Sequence, residues 1–209
     1  MVSGCRQLLG MALASIGFVG SILVCALPMW KVTAFIGPVI ITAQTIWEGL
    51  WMNCVHQSTG QMQCKVYDSL LQLSSDLQAA RALTILAIVV SVVGLILGVA
   101  GGKCTNFLRE ERSKSRVAVA AGVVFIVAGV LVLVPVCWTA NTIIQNFYNP
   151  LLLSTQKREL GAALYIGWGT AGLLILGGGL LCSSCPREYD TKNETTYSKA
   201  RSVESRAYV

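Results

Sequence analysis

Charged side chains are scarce in this chain. Of 209 residues only 12% are charged, against about a quarter in a typical soluble domain. The scarcity is also uneven: Gln7–Trp30, Ala82–Gly102, Val117–Gln156 and Leu160–Pro186 contain no charged residue. Apolar runs of that length would need far more polar chain to cover them, so a soluble class is excluded. Histidine is nearly absent. His56 is the one copy, with no base–nucleophile partner beside it, and enzymatic catalysis has no residues to run on. No ionisable group falls inside the apolar runs, whereas transporters and pumps tend to hold such groups there despite their cost. A basic cluster on a folded face is missing, and with it the usual mark of a nucleic-acid partner. Nothing calls for a metal or a cofactor. Cys182 and Cys185 make a single CxxC spacing, which is a weak metal signal beside a membrane.

What remains is a membrane protein. A spanning helix needs roughly 20 mostly apolar residues, and spans are expected over 8–27, 82–102, 117–138 and 161–182. The first has a rival, because Arg6, an apolar run and Val24-Cys25-Ala26 have the order of a signal peptide. That run is longer than the usual ~7–15-residue apolar region, which favours a retained span. Pro135 is expected to bend or end the third span.

Orientation follows the basic residues close to the spans. Lys103, Arg109, Arg112, Lys114 and Arg116 lie between spans two and three; Arg187, Lys192, Lys199, Arg201 and Arg206 follow span four; Arg6 precedes span one. Residues 1–7, 103–116 and 183–209 are therefore expected in the cytoplasm, and 28–81 and 139–160 outside. The net charge of +6 reads as a topology signal. The polar tail after Pro186 is expected to be disordered, and the Asn193-Glu194-Thr195 sequon to stay cytoplasmic and unmodified. Of eight cysteines, only Cys54 and Cys64 fall outside, in a setting that favours pairing. Cys25 and Cys137 are expected as small apolar packers. Cys104, Cys182 and Cys185, at cytoplasmic ends, are candidates for palmitoylation or plain thiols.

The first outer loop is too long to be only a connector. Trp30–Phe35, Val39–Thr45, Glu48–His56 and Gln61–Val66 have strand character, with turn signals at Gly37-Pro38 and Ser58-Thr59-Gly60. Cys54 and Cys64 then face each other across a hairpin. Closing so short a loop stabilises a small sheet by about 2–3 kcal/mol. Trp30, Trp47 and Trp51 suit a membrane–water boundary, although aromatics of a sheet core would look the same. Leu70, Leu71, Leu73 and Leu77, with Asp68 and Asp76, suggest a short amphipathic helix leading into span two. Lys31, Lys65 and Arg81 balance Glu48, Asp68 and Asp76, so the net charge of this loop decides nothing. Gly94, Gly98 and Gly102 on span two, and Gly10, Ala14, Gly17 and Ser21 on span one, suit close helix packing within the bundle.

Trp30, then Gly49-Leu50-Trp51, then Cys54 and Cys64 resemble the claudin signature W…GLW…C…C, with Arg81 as a further signature position. The resemblance covers the whole chain. Trp47–Leu71 and Phe147–Leu151 are most similar to the claudin three and four pair. The implied fold is membrane α+β: a left-handed four-helix transmembrane bundle with a small extracellular antiparallel β-sheet, four strands from the first loop and a fifth from the second. The implied setting is the plasma membrane at the tight junction, where claudins polymerise in cis and in trans and control the paracellular route for ions. By the same resemblance Lys65 would set charge selectivity, restricting cations and admitting anions, and Leu70, Phe147 and Tyr148 would make assembly contacts. Asn149, Pro150 and Leu151 resemble the segment that a bacterial enterotoxin grips, although receptor members usually carry a smaller residue or proline where Leu153 stands. Tyr208-Val209 resembles a terminus captured by PDZ scaffold proteins. Membrane lipids are the remaining partner. Where this chain has Phe107, many close claudins carry a cysteine. An auxiliary tetraspan subunit of another channel is the alternative assignment.

Overall fold

Apolar side chains gain little by exchanging lipid for one another, so helices in a bilayer associate through close backbone approach and dense packing. A computed structural model describes residues 2–33, 45–57, 60–69, 73–102, 111–152 and 157–183, and it contains four such helices: α1 (Val2–Ala26), α2 (Ser75–Ala100), α3 (Glu111–Tyr148) and α4 (Ala162–Ser183). Each is long and apolar enough to cross a membrane, and each satisfies its interior backbone groups by its own hydrogen bonds, as lipid requires.

The small residues do what the sequence pattern implies. Gly98 lies against Met11 and Ala121, Gly94 against the Phe125 ring, and Gly17 against Leu174. A Cβ on Gly122 would fall 2.7 Å from the Gly178 carbonyl oxygen, and one on Gly177 2.8 Å from that of Gly10. Phe125, Val132 and Val136 of α3 and Leu164, Leu174 and Leu181 of α4 are fully buried, while Val89, Ile96 and Leu176 point outward.

The helices outrun the apolar stretches. At 38 residues, α3 is about 57 Å long, against a hydrocarbon thickness of ~30 Å. It continues through Pro135 to Tyr148 and does not end there. The start of α2 at Ser75 places Asp76 and Leu77 in its first turn. Asp68 lies outside any helix, and 70–72, where the short amphipathic helix was expected, fall outside the described residues.

At one end of the bundle stands an antiparallel sheet of β1 (Lys31–Thr33), β2 (Thr45–Glu48), β3 (Met52–His56), β4 (Met62–Val66) and β5 (Arg158–Leu160), in the order β4-β3-β2-β1-β5. The chain leaves α1 into β1, passes from β4 towards α2, and reaches α4 through β5. Four strands come from the segment between α1 and α2, and the fifth from the segment between α3 and α4. Residues 34–44 lie outside the described residues, so only the last residue of the expected Val39–Thr45 strand is seen, opening β2. The expected strand Glu48–His56 is broken. Gly49 N–H donates to Met52 O at 3.0 Å, turning the chain between β2 and β3. Only glycine fits there, because a Cβ would collide with Pro28 Cα. The β3–β4 turn uses Gly60 at φ 81°, a left-handed conformation open to glycine.

Trp30 corrects the boundary assignment. It is fully buried between the sheet and the helices rather than seated at a membrane surface. Trp47 and Trp51 are half-buried.

Alanine at Gly49 should lower the thermal midpoint of the detergent-solubilised protein by the equivalent of about 1–3 kcal/mol, the usual cost of overpacking. Alanine at Gly169, where an added Cβ meets nothing within 4 Å, should leave it unchanged or slightly higher. Equal midpoints for the two variants would contradict the close approach of Gly49 to Pro28.

Candidate junction interface

The site is built where α1 ends. An α-helical carbonyl normally receives the N–H four residues on, but the residue four beyond Val24 is Pro28, which has none. The Trp30 indole supplies the missing donor: Nε1 lies 2.9 Å from Val24 O. The Trp30 backbone then bonds both neighbouring strand segments, N–H to Glu48 O at 3.0 Å and O from Gly161 N–H at 3.0 Å. One residue thereby joins α1, β2 and the entry to α4.

Trp51 is held on two sides. Its indole N–H donates to Cys25 Sγ at 3.4 Å, and the Arg81 guanidinium carbon sits 3.7 Å above its ring. A cation–π contact at such a site contributes about 0.5–2 kcal/mol. Leu50, the residue before Trp51, is fully buried. Cys25 is therefore an acceptor as well as a packer. Cys137, expected as a small apolar packer, lies on the exposed surface of the bundle and accepts from Trp168 Nε1 at 3.4 Å.

Cys54 and Cys64 are directly opposed in the β3–β4 register and joined by a disulfide. Beside them the Tyr67 hydroxyl donates to Gly49 O at 3.3 Å. Burial, with the Glu48 charge adding, pushes the phenol up to about 12, so it remains a donor at any physiological pH.

The charges sort into separate environments. Lys31 Nζ lies 2.7 Å from Asp76 Oδ2 and 3.1 Å from Ser74 Oγ, and both members of the pair are buried. Arg158 of β5 reaches across β1 to Glu48 of β2, with Nε and Nη2 3.0 and 2.8 Å from Glu48 Oε1. Lys65, on the edge strand β4, is 81% exposed and pairs with Asp68 at 2.9 Å. Hydrogen bonding to Asp68, then its charge, pushes the Lys65 pKa up, so the ammonium persists across the physiological range.

At the end of α3 the Phe147 and Tyr148 rings meet edge to face at 5.6 Å, and Lys157 Nζ stands 5.5 Å from the Phe147 centroid. Phe147 is half-buried, Tyr148 is exposed, and Leu151 is 91% exposed. Asn149 Oδ1 accepts from Leu151 N–H at 3.1 Å, shaping the turn through Pro150. At the far end of the bundle the Cys182 thiol is half-buried and lies 3.7 Å from Val119 O, turned towards α3. Leu70, Cys104, Phe107, Leu153, Cys185, the sequon at Asn193, Tyr208 and Val209 lie outside the described residues.

The PMP-22/EMP/MP20/Claudin family matches residues 5–181. The chain belongs to that family. It is 62% identical over 209 residues to Claudin-4 of Bos taurus and 61% identical over 209 residues to Claudin-4 of Homo sapiens, in each case over 100% of both chains. Claudin-3 of Homo sapiens is 56% identical over 200 residues, covering 94% of this chain and 90% of the relative. The protein is thus a claudin, a multi-pass membrane protein of tight junctions and not an enzyme.

The structure brings together Trp30, Gly49, Leu50, Trp51, Cys54, Cys64 and Arg81, which are dispersed in the sequence of this claudin. Tyr148 and Leu151 form a separate exposed group at the end of α3. The Lys31–Asp76 and Glu48–Arg158 pairs escaped sequence reasoning, because no periodicity links residues so far apart, 110 positions in the second case. Counting three bases against three acids hid how differently they are placed.

Removing one member of a buried pair strands the other, at about 3–5 kcal/mol, whereas apolar replacement of both is often neutral. Lys31→Met alone should therefore lower the thermal midpoint sharply, and Lys31→Met with Asp76→Leu should recover most of the loss. A double variant as unstable as the single one would show that the site needs its charges for another reason.

Proposed function

We propose that this claudin forms a paracellular barrier that restricts cations and admits anions, with Lys65 setting the sign of its selectivity. The observation that carries this reading is the placement of Lys65: fully charged, exposed, and on the outer edge of the sheet. Two unit charges 4 Å apart interact by about 1 kcal/mol in water and about 4 kcal/mol at an intermediate dielectric. A narrow aqueous route lies between those limits, so one lysine repeated along a strand of claudins biases ion flow. Asp68 opposes it only in part, since an exposed pair is weakly held and open to water.

In this reading the sheet faces outward and both termini lie in the cytoplasm, the side with most of the basic residues near the spans. Neighbouring claudins in cis and in trans are contacted through Leu70, Phe147 and Tyr148. The head-to-tail contact is heterologous, which permits a linear polymer. The exposure of Tyr148 supports its share of that role, while Phe147, engaged by Lys157, serves to orient it. The turn Asn149-Pro150-Leu151, with Leu151 fully presented, is the surface offered to an enterotoxin. Tyr208-Val209 binds PDZ scaffolds by strand addition. Acylation at the cytoplasmic rim, which would strengthen lipid contact, falls to Cys104 and Cys185 ahead of the inward-turned Cys182.

Lys65→Asp should raise sodium over chloride permeability in a transfected monolayer, read as the dilution potential, and Asp68→Asn should move it towards chloride. An unchanged potential for Lys65→Asp removes Lys65 from the selectivity mechanism. Deleting Tyr208-Val209 should abolish pull-down of PDZ scaffolds without altering the ion ratio; retained capture would place that contact elsewhere.

A further inference from the structure

Residues directly opposite one another in an antiparallel ladder point to the same face of the sheet. From β1 outward, Lys31 stands opposite Glu48, Glu48 opposite Asn53, and Asn53 opposite Lys65. Thr33, two residues along β1 from Lys31, stands opposite Arg158. The face that presents Lys65 therefore also carries Glu48 and Arg158, while Trp47, Cys54 and Cys64 occupy the other. Glu48 is two strands from Lys65, about 9–10 Å by the usual strand spacing. That is roughly one Debye length at physiological ionic strength, close enough for the two charges to act on the same passing ion.

Glu48 is the acid of this face, and it is covered. Arg158 Nε and Nη2 both donate to its Oε1, and Arg158 Nη1 lies 3.5 Å from Thr33 Oγ1. The two side chains keep 24% and 23% exposure, so the pair remains in contact with water and ions. Lys31, on the same face, is buried against Asp76 and adds little field outside. A carboxylate closely paired with a guanidinium presents a dipole, whose field falls off faster than that of a single charge. Lys65, much more exposed and facing a loosely held partner, is left to dominate.

We propose that Arg158 is a selectivity-determining residue: reaching over from the second loop, it masks the Glu48 carboxylate and so lets Lys65 set the sign of the field. The inference rests on the reading that the Lys65 face borders the ion path. Arg158 is a masking residue here, and the clamp it makes between β5 and β2 is a separate, structural consequence of the same contact.

The two roles are separable in transfected monolayers by the sodium-to-chloride permeability ratio. Arg158→Gln bares Glu48 and should raise the ratio by up to about twofold, the size expected of one unit charge at ~10 Å in water before salt screens it. Glu48→Gln bares Arg158 and should lower it, and the double variant should return it near the starting value. Arg158→Lys, which keeps the charge, should change it little. Should Arg158→Gln fail to reach the cell surface, Asn53→Asp adds a second carboxylate to the same row, opposite Glu48 and Lys65, while keeping both members of the clamp, and must also raise the ratio. A purely structural clamp predicts something else: both single variants alter total conductance together and leave the ratio alone, which would overturn the masking role. Lys65→Asp, measured in parallel, separates the two failures. If it shifts the ratio while the Glu48, Asn53 and Arg158 variants do not, masking is wrong and the path reading stands. If none shifts it, this face does not border the path and both fall.

Discussion

The extramembrane structure depends on how the chain leaves the first helix. Pro28 ends α1 without an N–H to give, and the Val24 carbonyl would be left unpaired in a dry environment, at a cost of about 1–3 kcal/mol. The Trp30 indole fills that gap from above. The same residue then accepts from the segment before α4 and donates to β2. Because its ring is fully buried, the geometry cannot drift without opening a large cavity. The sheet is therefore registered on the bundle first through this residue, and Gly49, packed on Pro28, fixes how closely the turn between β2 and β3 approaches the chain leaving α1.

Onto that anchor the molecule adds fastenings that differ in strength. The disulfide closes the outer hairpin, where the sheet has little apolar core of its own; every residue of β4 is exposed. The buried Lys31–Asp76 pair ties β1 to the first turn of α2 and takes up the Ser74 hydroxyl, which makes no side-chain cap of its own on that helix. Arg81 over Trp51 ties the same helix to the turn between β2 and β3. Glu48–Arg158 joins the two loops across β1. Within the lipid, by contrast, no ion pair is found among the described residues, and the bundle is held by glycine contacts and close-packed aliphatic side chains.

This division has a functional sense. A barrier between cells needs an outer surface stiff enough to hold charges in place, because a field that wanders does not discriminate between ions. Charges that serve stiffness are buried or paired tightly, while Lys65, to which the proposed function gives selectivity, stands on the rim in an exposed pair with Asp68. The exposed group at the end of α3 follows the same logic. Lys157 and Tyr148 restrain Phe147, and the restrained helix end presents Tyr148 and Leu151 outward.

The sequence by itself determined the four spans, because unbroken charge-free runs have no other stable home. It also determined the β3–β4 hairpin, where two cysteines flank a turn signal, and the family, through Trp30, Gly49-Leu50-Trp51, Cys54 and Cys64. Helix ends were not legible, since a helix leaves the bilayer without any change in hydrogen bonding; α3 runs on past Trp138 to Tyr148 for that reason. Only the tertiary structure decided that Trp30 lies inside rather than at a membrane boundary, that Cys25 receives the Trp51 indole, and which acid each base meets. Those pairings join residues far apart in the chain. No local propensity encodes them, and they exist only once four helix ends have brought the strands to one place.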